Sequence, residues 1–215
     1  MCFSSTASFS AGVALSISGI ATLRVVKDRT MLTIALIPFI FGLQQISEGF
    51  VWLALSNPAK MAWQRLPVDV FLFFSHILWP VWMPFAIWRA EKNGDRRKKL
   101  FSLFCIGCML GFYHLFFIIN NIPKEEILNC HIDYTMGFPG RLMILTTILY
   151  GITTILPSLI STRKRMWLLG VMLTISYLIS WVFYSQYMIS VFCFFAALLS
   201  GVVYYILRAA KSQRT

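Results

Sequence analysis

Four side chains in this sequence combine chemistry with awkward placement: Glu48, His76, His114 and His131. The first three fall inside long apolar runs. Neutral imidazoles and one carboxylate are the donor set of a catalytic zinc site, with a fourth position left for water. His76, His114 and Glu48 are the expected ligands of zinc or another divalent metal, with Glu48 otherwise the base and His131 a third ligand or the acid. The alternative is a transporter or receptor in which Glu48 and His76 form a proton relay or a substrate contact. A His76–His114 haem is a third arrangement. The metal signal is short of a motif, because no HExxH and no i, i+4 His pair is present.

Spacing supplies companions. Gln45, Glu48 and Trp52 fall at i, i+3 and i+7, on one helical face. Asp69 and His76 are seven apart and share another. Pro80 follows His76 by four residues and has no N–H to give its carbonyl, so an acceptor is left open beside the imidazole. Trp79, Trp82, Gln45 and Tyr134 are the expected substrate contacts. Glu48 lies about 10 Å, and His76 about 13 Å, inside one end of its run, at the rise of a helix. An ionised carboxylate at such depth costs several kcal/mol unless it is paired or protonated.

The elements that must position these groups are membrane helices. The chain is 58% hydrophobic and 13% charged, with a mean hydropathy of +0.73, against about 25% charged residues in soluble domains. Apolar runs of the length needed to span roughly 30 Å of hydrocarbon occupy about 8–24, 31–55, 67–88, 100–121, 141–160, 166–184 and 188–207. The expected fold is all-α: one polytopic domain, 1–215, with seven transmembrane helices and no soluble module.

Charge sets the expected sidedness. Fifteen of the 19 basic residues follow runs one, three, five and seven; Lys60, Arg65, Lys124 and Arg141 lie in the alternate loops. By the positive-inside bias the N-terminus is outside and the C-terminus cytoplasmic. The +11 net charge is thereby explained by topology, and nucleic acid is not an expected partner. The lipid bilayer is, with a lipid or small molecule as ligand. No Lys or Arg occurs before Arg24, so the basic n-region of a signal peptide is not expected.

Other features read as packing. Ser8, Gly12 and Ser16, and Gly107 with Gly111, are small residues at four-residue spacing. Cys105 and Cys108 form a CxxC inside an apolar run, without the exposed helix start that thiol redox chemistry needs. The basic loop 89–99 reads as a solvated face. The loop 122–140 is the longest and holds Glu125, Glu126, Cys130, His131, Asp133 and Tyr134; Cys130 and Cys2 share the outer, oxidising side, where a disulfide is an option.

Met1-Cys2-Phe3-Ser4 with Ala7-Ser8-Phe9, then Gln44-Gln45 with Glu48-Gly49 and Trp52, His76 with Trp79-Pro80 and Trp82, His131 with Tyr134, and Cys193 to Ala197 together resemble a family of uncharacterised bacterial integral membrane proteins. The resemblance covers almost the whole chain. It implies a bacterial inner-membrane protein and carries no chemistry of its own. From the residues alone, then, an outward-facing polar pocket around Glu48, His76 and His114 is expected, serving either a metal-dependent hydrolase of a lipid or small molecule, or a transporter or receptor.

Overall fold

A computed structural model describes residues 4–56, 63, 65–121, 123–128, 131–136, 139–183 and 188–211. Among them are seven helices and one hairpin. The helices are α1 (Ser5–Val25), α2 (Arg29–Leu55), α3 (Arg65–Ala90), α4 (Gly94–Asn120), α5 (Gly140–Ile160), α6 (Met166–Phe183) and α7 (Met188–Lys211). Strands β1 (Lys124–Leu128) and β2 (His131–Thr135) lie between α4 and α5. Five helices are long and apolar enough to cross a membrane: α1 to α4, and α5 from Leu142 to Ile160. In α6 and α7 the apolar stretches are shorter, Met166–Val182 and Phe195–Ala209.

The helices form a closed ring in which α1 packs on α2, α2 on α3, α3 on α5, α5 on α6, α6 on α7, and α7 back on α1. Helix α4 stands outside this ring against α3 and α5. Small residues set the closest approaches. A Cβ on Gly12 would come 2.7 Å from Ile46 Cγ1, and one on Gly19 would come 2.6 Å from the Phe39 backbone nitrogen, so α1 can lie against α2 only because these side chains are missing. On α4 the constraint is tighter: a Cβ on Gly107 would stand 2.0 Å from the Pro80 carbonyl oxygen. The spacing read as a packing signal in α4 is thus the contact face with α3.

Two helices are interrupted where prolines fall. In α2 a 3-10 turn at Arg29–Met31 and a short helix Leu32–Ala35 precede the main body, Ile37–Leu55, which begins with Pro38 in its first turn. In α3 the segment Phe73–Leu78 is π-helical, between Arg65–Leu72 and Trp79–Ala90. Pro80 lies at the junction and supplies no N–H, so the backbone ahead of it is wound more loosely.

The long loop expected over 122–140 contains the hairpin. Its strands pair antiparallel from Lys124↔Thr135 to Leu128↔His131. Ile132 and Tyr134 alternate with Asp133 and Thr135, and the first pair is buried while the second is less so. This period of two is what a strand covering an apolar surface requires. Ile132 and Tyr134 pack with Val51, Trp52, Val68, Phe71, Leu72 and Ile118, with Tyr134 stacked on Phe71 at 4.9 Å between ring centres. The hairpin is therefore a cap on the ends of α2, α3 and α4. Cys2 and Cys130, and with them the disulfide option, lie outside the described residues.

At the opposite, basic end the loops are lashed together. Glu91, expected on a solvated face, is buried. Its carboxylate accepts from the Lys92 and Asn93 amides at 2.9 Å, the Thr162 amide at 2.7 Å and Ser161 Oγ at 2.9 Å, and also from Thr162 Oγ1. Burial alone would raise its pKa, but the hydrogen bonds from Thr162, Asn93 and Ser161 outweigh that and lower it to about 2. Arg163 completes the clamp. It donates to the Ala90 carbonyl, to Thr30 Oγ1 at 2.9 Å, and faces Asp28 at 3.5 Å.

Candidate functional site

Inside the ring is a cavity of about 590 Å³. Its wall takes residues from α2, α3, α5 and α6, with Leu199 from α7, His114 from α4, and Asp133 to Met136 from the hairpin. The volume is that of a small-molecule site, mostly apolar with a few placed polar groups.

Those polar groups gather around the loosened segment of α3. His114 Nδ1 lies 2.9 Å from the backbone carbonyl oxygen of His76. A carbonyl can only accept, so Nδ1 carries the proton and Nε2 of a neutral ring is an acceptor. Tyr150 donates to the neighbouring carbonyl, of Ser75, at 2.6 Å. Two acceptors just ahead of Pro80 are thus met by donors from α4 and α5, as backbone freed inside a membrane protein must be. The two imidazoles stand edge to face, 5.5 Å between ring centres. Ser75 Oγ lies 2.8 Å from His76 Nδ1. Across the cavity Trp79 donates from Nε1 to Gln44 Oε1 at 2.6 Å and stacks on Phe41 at 4.0 Å.

Helix α4 can deliver His114 because of the residues below it. Gly107, Gly111 and His114 follow one face at i, i+4 and i+7. Gly107 meets Pro80, Gly111 lies against Val81 and Ile77, and His114 arrives at His76. A larger side chain at Gly107 would push the whole face away.

The expected site residues divide. His76, His114, Trp79 and Tyr134 are on the cavity wall. Glu48 is buried one turn beyond Gln44 and accepts from Gln45 Nε2 at 2.9 Å; the wall includes Gln44 but neither Gln45 nor Glu48. Trp82 is also off the wall, its Nε1 donating to the Thr33 carbonyl at 3.2 Å. His131 is buried at the start of β2, opposite Leu128. Asp69 pairs with Arg65 at 2.8 Å rather than sharing a site with His76. Among the described residues no three of His, Cys, Asp and Glu are placed to hold a metal ion. Two imidazoles, one with Nδ1 on a carbonyl and one with Nδ1 beside a hydroxyl, fall short of the three protein donors that a catalytic zinc needs. The expected set of His76, His114 and Glu48 does not assemble as a metal centre.

Several wall residues carried no strong signal in the sequence. Gln44 and Gln45 stand at i, i+4 and i, i+3 to Glu48, so spacing alone does not say which of the two faces the cavity. Thr146, Thr147 and Tyr150 share one face of an apolar helix, and only the packing of α5 against α3 and α6 makes that face part of the wall.

Residues 1–215 match the model of a family described as a family of unknown function (DUF6629), and the chain belongs to that family. Comparison with curated proteins and with solved structures returned no match in either case.

Proposed function

We propose that this member of the family is a seven-span membrane protein whose intramembrane cavity binds a small, mostly apolar molecule, as a receptor or transporter does. The bacterial inner membrane is the proposed location, with the N-terminus and hairpin outside and the C-terminus in the cytoplasm. The distribution of basic residues supports this orientation, and the five long apolar helices support membrane residence. The single observation that carries the binding reading is the mostly apolar cavity of about 590 Å³, with His76, His114, Gln44 and Asp133 among the polar groups on its wall. Binding is favoured over hydrolysis because Glu48 and His131, the expected acid and base, are both off that wall.

The test uses the purified full chain in nanodiscs of zwitterionic lipid. Decan-1-ol is titrated while unfolding temperature and tryptophan emission are followed. Saturable stabilisation is expected, and Thr147→Trp, which fills the cavity, is expected to abolish it. Stabilisation that never saturates, or that survives the filled cavity, sinks the reading.

A further inference from the structure

The cavity wall is electrically one-sided. Among the described residues of the wall, Asp133 is the only carboxylate and no Lys or Arg is present. In the hairpin register Asp133 stands directly opposite Glu126. Like charges in that relation destabilise a strand pair. Lys124 is two residues along β1, on the same face, yet the only ion pairs among the described residues are Arg65–Asp69 and Arg163–Asp28. Thr135 Oγ1 donates to Asp133 Oδ2 at a long 3.4 Å. Asp133 is therefore the carboxylate at the hairpin end of the cavity, with exposed Glu126 as its cross-strand neighbour and no ion pair among the described residues.

The rest of the wall adds to this preference. Trp79, Tyr134, Tyr150 and Tyr177 all border the cavity. Aromatic faces attract cations, by about 0.5–2 kcal/mol according to exposure. An anion entering the same space would lose its water and meet no Lys or Arg among the described residues of the wall. We propose that the ligand is an amphiphilic amine: an apolar body lying along α3, α5 and α6, with a protonated nitrogen at Asp133. This inference rests on the cavity reading above and narrows it to a class of ligand.

The experiment compares decylamine, decan-1-ol and decanoate, matched in chain length, on the full chain in zwitterionic nanodiscs at neutral pH. Native mass spectrometry and tryptophan emission give affinity. Wild type is expected to bind the amine about fivefold more tightly than the alcohol, and the acid about tenfold more weakly than the amine, as one partly exposed charge contact allows. Asp133→Asn should bring amine and alcohol within about twofold of each other while alcohol binding stays as it was. Asp95→Asn, the same charge change at the basic end, should leave the preference intact. Equal binding of amine and alcohol by wild type, or a preference that survives Asp133→Asn, overturns the amine assignment and leaves the cavity reading standing. Failure of all three to bind overturns both.

Discussion

His114 reaches from α4 to the backbone carbonyl of His76, 2.9 Å away, and this bond joins the two halves of the candidate site. It occupies the acceptor that Pro80 cannot serve and fixes the proton of the imidazole on Nδ1. It also anchors a helix that otherwise stands outside the ring. The bond is thus structural and electronic together, and its removal separates the two roles.

His114→Phe keeps most of the volume and leaves the His76 carbonyl without this donor. Losing a partner for a buried acceptor costs about 1–3 kcal/mol. The expected result is a lowered midpoint of unfolding in mild detergent, together with weaker binding of decan-1-ol. Unchanged stability would mean the carbonyl is served in another way. Tyr150→Phe removes the companion bond to the Ser75 carbonyl and is expected to cost about 1 kcal/mol in the same assay.

Gly107→Ala places a methyl group 2.0 Å from the Pro80 carbonyl oxygen, and neither backbone can move freely. Overpacking of this kind costs about 1–3 kcal/mol. Gly201→Ala, where nothing lies within 4 Å of the new Cβ, is expected to be neutral or slightly stabilising, because alanine favours helix. Comparable unfolding midpoints for the two variants would contradict the close α3–α4 contact.

Glu91 predicts a pH dependence with a definite sign. Its folded pKa of about 2 is below its ordinary value of 4.5. Its contribution is therefore present above pH 4.5, and is lost as pH falls from there towards 2. Unfolding of wild type between those limits should show this fall, and Glu91→Gln should flatten it. The variant is also expected to be less stable at neutral pH by about 1–3 kcal/mol, since it weakens charge-assisted bonds that tie two loops together. A slope that persists in Glu91→Gln would assign the effect to other carboxylates.

Sidedness is checked with single cysteines in a background lacking the native five. Thr135→Cys on the hairpin is expected to react with a membrane-impermeant maleimide added to intact cells. Arg97→Cys at the basic end is expected to react only after lysis. The reverse pattern would invert the orientation.

Much of the helical framework could be read in advance because lipid imposes long apolar runs, and runs of that length are visible in one dimension. The open acceptor at His76 was readable for a similar reason: proline removes a donor wherever it occurs. The hairpin was not, since an alternation confined to Ile132–Thr135 is too short to stand out in the sequence, and the burial of Ile132 and Tyr134 exists only once Phe71 and Ile118 are there to cover. The burial of Glu91 is not legible either, because a carboxylate among lysines and arginines looks solvated until Ser161 and Thr162 arrive from about 70 residues away.

By itself, then, the sequence determined the helices, their order, the flanking charge pattern and the presence of imidazoles in apolar surroundings. Each follows from the transfer energy of side chains along a local stretch. Only the tertiary structure decided which polar groups meet. It set Glu48 beside Gln45, brought His114 to His76, and put Asp133 on the cavity wall in place of the expected acid. That choice depends on helix rotation and on close approach at residues such as Gly107, and these are properties of pairs of elements rather than of any one of them.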